Sequence, residues 1–272
     1  MRRKCKFYNF KNEIKDGYLL DFGISSEKTS AGISQYTVGI VETLEGRIEK
    51  VSLNKIFLRI EEWLKIDYEI ISSGSKGNAV IIDDMLFDCG VSYSKIRESL
   101  YNINYLFVTH RHTDHLNLTT YQKIRKEFPR IKTIGNYDLE NWIHLDEIVG
   151  DSTTIKEKDR LIQSFKCVHD VPCSGFVVTK DEKNLIYATD TNSLEHAPKI
   201  KYDYFFIESN YDEKKIELIR NNAKKVYGYD AWQGAMRHLS TQQSRVFYYM
   251  NRRGKDSLWV ELHKSGRFYW WI

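Results

Sequence analysis

The densest chemistry in the chain is the run His110-Arg111-His112-Thr113-Asp114-His115. Three imidazoles and one carboxylate fall within six residues, directly after the apolar segment Tyr105–Val108. Burying such a cluster without partners costs on the order of several kcal/mol. A divalent cation removes that cost by accepting the lone pairs, and imidazole mixed with carboxylate suits zinc, manganese or iron. A loop, unlike a helix, lets alternate residues face two neighbouring ions. A solvated His-rich loop is the plain alternative, but a His-x-His-x-Asp-His order just past an apolar strand is far more specific than a lone His-x-His.

The elements that must position this loop follow from periodicity. Tyr105–Val108 reads as a strand and Leu118–Phe128 as an amphipathic helix. Further strands are predicted at Tyr68–Ser72, Ala79–Asp83, Met85–Asp88, Lys132–Gly135, Gln163–Val168, Gly175–Thr179, Leu185–Ala188, Tyr204–Glu208, Lys225–Tyr227 and Leu258–Leu262, with a helix over Tyr93–Leu100. Strands interspersed with helices predict a layered α/β domain spanning 66–272. Residues 1–65 read differently, as a small β-rich module. Gln35–Thr43 and Arg47–Leu53 alternate polar and apolar residues around Leu44-Glu45-Gly46, which predicts a hairpin. Gly17–Phe22 is a further strand candidate, Asn54–Trp63 a short helix, and the polar Ser25–Ser34 a flexible loop.

With 272 residues and 42% hydrophobic content, the chain can build a sizeable core. No run is long enough for a membrane helix, and no apolar stretch follows Met1-Arg-Arg-Lys, so no membrane and no secretory signal is expected. Cys5, Cys89, Cys167 and Cys173 form no Cys-x-x-Cys pair and are expected as free thiols in a cytoplasmic setting. The net charge of +4 is compatible with a phosphate-bearing substrate without specifying one.

The run Thr109–His115 matches the signature of the metallo-β-lactamase superfamily, and the resemblance extends over roughly residues 68–272. Ser73-Gly-Ser-Lys-Gly-Asn78, Phe87-Asp-Cys-Gly-Val-Ser92, Ala188-Thr-Asp190-Thr, Glu208-Ser-Asn210 and His238-Leu-Ser240 look like its YycJ/WalJ-like branch, which is similar to RNase Z-type phosphodiesterases. The resemblance implies an αββα sandwich with the site at one edge of two sheets. It further implies two divalent metal ions, zinc in the first place and manganese as the alternative. His110, His112 and His169 would hold one ion, Asp114, His115 and His263 the other, with Asp190 bridging. His169, Asp190 and His263 share one feature in the sequence: each is a ligand type at the tip of an apolar strand. Alone, each would read as a surface or turn residue.

The same resemblance casts Asp114 as the group that orients or deprotonates the nucleophile and His238 as a non-ligand histidine acting at the scissile phosphate. Arg237 adds a cation there. The short, Gly-rich loop Ser73–Asn78, with Ser75 and Asn78, is expected to line the substrate cleft with backbone N–H groups, a tight connection being the plain alternative. Asp88 matches a supporting carboxylate, although a turn-forming Asp before Gly90 explains it as well. His238 could equally precede a helix cap at Ser240 or Thr241. His144 and His196 read as surface residues. One departure stands out: Tyr211 occupies the place where the branch carries histidine in Glu-Ser-Asn-His-Asp. Lys224, Lys225, Tyr227, Tyr229 and Trp232 together could grip a nucleic-acid strand, though a solvated helix with core aromatics explains them too.

The expected activity is therefore phosphodiester hydrolysis on nucleic acid, exonuclease-like on DNA. A cyclic-nucleotide phosphodiesterase is the first alternative, and a metal-stabilised binding module, with 1–65 docking a partner, the second. A β-lactamase or thioester hydrolase is weighed against by His238-Leu-Ser240. A nucleic-acid or nucleotide partner is expected, and a homodimer is compatible with the sequence.

Overall fold

The computed structural model describes residues 3–8, 11, 13–29, 32–52, 56–58, 66–219 and 231–265. The chain divides into two compact units, Met1–Ile66 and Asp67–Ile272.

The first unit is one antiparallel sheet of β1 (Arg3–Tyr8), β2 (Ile14–Thr29), β3 (Gly32–Thr43), β4 (Ile48–Ser52) and β5 (Ile56–Leu58), in the order β4-β3-β2-β1-β5. The predicted hairpin is β3–β4, closed through a turn in which Gly46 takes φ +80°. Two expectations fail here. Within Ser25–Ser34 the described residues 25–29 and 32–34 are not a flexible loop: β2 and β3 pair out to Thr29 and Gly32, and residues 30–31 lie outside the described residues. A hairpin arm satisfies its backbone groups across the ladder, so side chains such as exposed Ser26 can stay wet on either face. Within Asn54–Trp63 the described residues Ile56–Leu58 form a strand against β1, not a helix, and the rest of that span lies outside the described residues.

The second unit holds two six-stranded sheets. One contains β6 (Tyr68–Ser72), β7 (Ala79–Ile82), β8 (Met85–Phe87), β9 (Tyr105–Val108), β10 (Lys132–Asn136) and β11 (Glu147–Val149) in sequential order. The other contains β12 (Thr154–Lys156), β13 (Leu161–Cys167), β14 (Cys173–Lys180), β15 (Lys183–Ala188), β16 (Tyr204–Glu208) and β17 (Leu258–Leu262), also in sequential order. The predicted helix at Tyr93–Leu100 is a shorter helix, Tyr93–Ile96, followed by a 3-10 turn at Ser99–Asn102. The predicted strand Lys225–Tyr227 lies outside the described residues. Among those described, no helix is long and apolar enough to cross a membrane.

Strand alternation sorts the core into layers. Phe87 and Phe107 point at the opposite sheet, where Phe87 stacks on Tyr187 at 4.2 Å and Phe107 meets Phe176 edge-on at 4.9 Å. Leu86, Leu106 and Val108 point the other way, into a cluster with Tyr121 and Ile124 of the helix Leu118–Glu127. On the outer face of the second sheet, Phe205 and Ile207 pack with Leu239 and with Tyr248 of the helix Thr241–Asn251. Each such side chain contributes about 1.5–3 kcal/mol when fully buried.

Strand direction is what gathers the chemistry. β8 and β9 are parallel, and so are β15, β16 and β17. β13 runs antiparallel to β14, and β14 to β15, so β13 shares the direction of β15. In each sheet these strands therefore present their carboxyl ends along one edge, where ligand-binding crevices form in α/β sheets.

Candidate metal centre

Every candidate ligand follows the end of one of these strands. β9 delivers Thr109 and the His110–His115 loop, β13 delivers His169, β15 delivers Asp190 and β17 delivers His263. Asp88, Asp190 and His263 adopt left-handed backbone, with φ of 62°, 53° and 52°. Side chains other than glycine take this conformation at a cost, tolerated where surrounding structure fixes it. Here it turns each side chain sharply off its strand into the edge of the sheets.

The structure brings all seven sequence-predicted ligands together. His110, His112, His169 and Asp190 place ligand atoms within 4.8 Å of one another, and Asp114, His115 and His263 do the same. Asp190 lies between the two groups. Its Oδ2 is 3.7 Å from Nε2 of His110, 3.7 Å from Nε2 of His169 and 3.4 Å from Nε2 of His115. Its Oδ1 is 3.3 Å from Nε2 of His263.

The donor set fits divalent cations. Nε2 of His263 is buried without a hydrogen-bond partner, as a ligand nitrogen would be. Burial, reinforced by the neighbouring His115, holds His110 well below the usual histidine pKa, and burial lowers His169 too, which leaves their lone pairs free. Burial also opposes charge on His115, but Asp190 and Asp88 outweigh it and lift its pKa well above the usual value. Burial likewise opposes charge on Asp190, where the surrounding histidines, His115 first, outweigh it and hold the carboxyl well below its usual range. A positive partner is what this carboxylate is built to meet.

Around these ligands lies a layer that sets their tautomers. Asp88, fully buried, accepts from the backbone N–H of Thr109 at 2.8 Å and from its hydroxyl at 2.9 Å, and sits 2.8 Å from Nδ1 of His115. That contact fixes Nδ1–H and turns Nε2 inward. Asp88 is thus a supporting carboxylate as well as a turn residue. Glu208 does the same for the other side of the site and was given no role from the sequence. Its Oε1 is 2.6 Å from Nδ1 of His238 and 3.0 Å from Nδ1 of His263, while Oε2 accepts from the backbone N–H of Thr191 at 2.9 Å. The available signal was a carboxylate closing the otherwise apolar strand Tyr204–Ile207, a place where a charge needs partners.

His238 combines both readings offered for it. It precedes Ser240, which caps the helix Thr241–Asn251 in a capping box with Gln243, and its ring stands 5.2 Å from His263 and 6.0 Å from His169 between centroids. Burial works against its proton, but Glu208 outweighs it and raises its pKa. Arg237 lies at the exposed rim, 3.3 Å from Asp170.

The Ser73–Asn78 loop differs from expectation. Asn78 is not a cleft residue: it is 1% exposed and its amide is committed inside the protein. Its Oδ1 accepts from the N–H of Gly74 at 2.8 Å, and its Nδ2 reaches the carbonyl of Asp114 at 3.2 Å and Nε2 of His115 at 2.8 Å. Asn78 braces the ligand loop because a buried amide must satisfy its own donors and acceptor. Ser75 is exposed at the loop tip, and Ser73 adds a second contact with the site, its Oγ accepting from the N–H of His263 at 2.7 Å.

Tyr211 is buried with Ile216 and Ala235, and half-buried Trp232 packs on that cluster. Lys224, Lys225, Tyr227 and Tyr229 lie outside the described residues. His144 and His196 are solvent-exposed, as expected. Cys89, Cys167 and Cys173 are free thiols, all buried.

A sequence model described as the β-lactamase superfamily domain matches residues 84–244, more than half of the chain. The chain belongs to this family. Its fold is the metallo-β-lactamase fold, and similar solved structures agree. Human tRNase Z, short form, superposes with a TM-score of 0.56 at 17% identity, covering 74% of this chain and 93% of that one. The metallo-β-lactamase fold protein YhfI from Bacillus subtilis superposes with a TM-score of 0.55 at 14% identity, covering 74% and 88%. A curated relative, a metal-dependent hydrolase of Sulfurisphaera tokodaii, is 37% identical over 67 residues, which are 25% of this chain and 29% of the relative's length.

Proposed function

We propose that this superfamily member is a metal-dependent hydrolase of phosphodiester bonds, acting on nucleic acid, with DNA as the first candidate, in the manner of the YycJ/WalJ-like branch. The observation that carries the reading is Asp190, grouped with His110, His112 and His169 and lying 3.4 Å from Nε2 of His115 and 3.3 Å from Nε2 of His263. The likeness of fold to tRNase Z supports the choice of phosphorus as the reacting centre.

His110, His112, His169 and Asp190 would hold one divalent cation, and Asp114, His115, His263 and Asp190 a second, with zinc the first candidate and manganese next. Such a pair supplies Lewis acidity toward a phosphoryl oxygen and makes water nucleophilic at neutral pH. Asp114, whose side chain is 28% exposed, is the ligand carboxylate that reaches the open side, where it orients the attacking water and takes its proton. His238 works at the opposite end of the displacement. Its Nδ1 is engaged by Glu208, so Nε2 is the atom available to hand a proton to the leaving oxygen. The raised pKa, caused by Glu208, favours that proton on the ring. Arg237 supplies positive charge at the rim, once it exchanges Asp170 for a phosphate oxygen.

The test is a panel of labelled DNA, RNA and cyclic mononucleotides offered to the zinc- or manganese-loaded protein, beside Asp114→Ala and His238→Ala. Phosphodiester cleavage that falls sharply in both variants is expected. Cleavage at full rate by Asp114→Ala overturns the mechanism, and turnover of cyclic nucleotides alone reassigns the substrate.

A further inference from the structure

A cleft of about 650 Å³ opens beside His169, within the size range of small-ligand sites. Its walls come from the end of β10, the Gly150–Asp151 turn, Lys166 on β13 and the loop His169–Pro172. Apart from His169 and Asp170, the partner of Arg237, none of these residues enters the mechanism above.

One wall is a large exposed aromatic held in place with unusual care. Tyr137 is 59% exposed. Its neighbour Asn136 is 3% exposed and makes contacts with both ligand-bearing loops. Nδ2 of Asn136 donates to the carbonyl of Thr109 at 3.0 Å and to that of Pro172 at 3.1 Å, while its Oδ1 accepts from the N–H of Asp138 at 3.1 Å. Asp138 in turn lies 3.2 Å from Nε of Arg111, inside the His110–His112 run. The segment carrying the aromatic ring is therefore tied to the metal centre by the Asn136 hydrogen bonds on one flank and the Asp138–Arg111 ion pair on the other. Apolar packing does not require this, because the ring stays in water.

We propose that this cleft is a nucleoside subsite, seating the base and sugar next to the scissile phosphate with the base stacked on Tyr137. The assignment rests on the phosphodiesterase reading for its phosphate, and on the cleft's own chemistry for its nucleoside. Asp151 and Asp170 line the cleft, repel a second phosphate and offer acceptors to base amino groups and sugar hydroxyls. Lys166 also lines the cleft and is exposed. Stacking on an aromatic face tolerates any base, so this subsite favours nucleic acid without reading its sequence.

The test uses the zinc-loaded full chain and two probes, adenosine monophosphate and inorganic phosphate, with binding measured by titration calorimetry. The wild type should bind the nucleotide more tightly than phosphate. Tyr137→Ala should weaken nucleotide binding at least about five-fold, the loss of one stacked base, and leave phosphate binding unchanged, while Tyr137→Phe should match the wild type. Equal binding of the two probes by the wild type, or an equal effect of Tyr137→Ala on both, overturns the subsite. A parallel comparison of thymidine 5′-p-nitrophenyl phosphate with methyl p-nitrophenyl phosphate separates this proposal from the one beneath it. Hydrolysis of neither ester, with nucleotide binding still dependent on Tyr137, sinks the phosphodiesterase and keeps the subsite. Hydrolysis of both esters with the same response to Tyr137→Ala does the reverse.

Discussion

Glu208→Gln isolates the layer behind the metal ligands. The carboxylate is fully buried and serves two imidazoles through one oxygen, at 2.6 Å from Nδ1 of His238 and 3.0 Å from Nδ1 of His263. Glutamine keeps the shape and one acceptor, which the backbone N–H of Thr191 claims at the other position. The amide NH2 then faces the two Nδ1 atoms. Each ring can accept from it only by moving its proton to Nε2, and an Nε2 that carries a proton is no metal ligand. Losing such an orienting partner costs about 10–100-fold in metal affinity, or about 1.4–2.7 kcal/mol at about 1.4 kcal/mol per tenfold. Zinc titration against a chromophoric chelator should therefore show one weakened site in Glu208→Gln, the one holding His263, and one unchanged site at His110, His112 and His169. The substitution also removes the charge that raises the His238 pKa. Protonated His238 is present below that raised value and lost as pH rises through it, so the alkaline fall in activity should move to lower pH in the variant. Two sites of wild-type affinity with an unmoved pH profile would refute the tautomer argument.

Three other perturbations bear on the frame of the site. Gly90→Ala would put its Cβ 1.7 Å from the carbonyl oxygen of Asp114 and 2.6 Å from the backbone nitrogen of His115. Neither atom can rotate away, so we expect about 1–3 kcal/mol of strain or more and lost metal binding, read by circular dichroism and metal analysis. A folded variant with full metal content would contradict the close approach. Arg160, whose side chain is 2% exposed, bonds Asp84 in the β7–β8 turn at 2.7 and 3.0 Å and flanks Asp159 at 3.0 Å, tying the two sheets together. Half-exposed Asp159 is screened, so Arg160→Met should cost near the lower end of about 3–5 kcal/mol, a Tm fall of roughly 6–12 °C in a thermal melt. An unchanged Tm would remove this pair from the account. Chelation should also lower Tm, because a ligand at about 100 times its Kd stabilises by about 2.7 kcal/mol. Zinc should restore the wild type but not Asp190→Ala, and a Tm indifferent to chelator would argue against bound metal.

What could be read from the sequence follows from how local each signal was. His110, His112, Asp114 and His115 announce themselves because their ligand chemistry is contiguous. His169, Asp190 and His263 are single residues, legible only because a family pattern links strand tips that the chain separates by many residues. The sheet strands of the second unit are visible as apolar runs, even three-residue β8, whereas β11 and β12 mix one or two apolar residues with charged or polar ones and do not register. Glu208 was quoted as part of a motif, yet its role depends on two rings brought to it by β17 and by the turn before Ser240, which no spacing encodes. Asn78 was misread for a related reason. A polar residue in a glycine-rich loop looks like a ligand contact until the loop folds back and its amide is found bracing Asp114 and His115. The polar β2–β3 arm was read as a loop because composition alone does not distinguish a wet hairpin from a coil.

Metal stoichiometry is the most direct measurement of all. Purified protein, saturated with zinc and freed of excess, should carry two ions per chain by plasma mass spectrometry, with His169→Ala and His263→Ala each retaining one. A wild type that holds no tightly bound zinc or manganese, or single variants that still hold two, would contradict a pair of cations shared through Asp190.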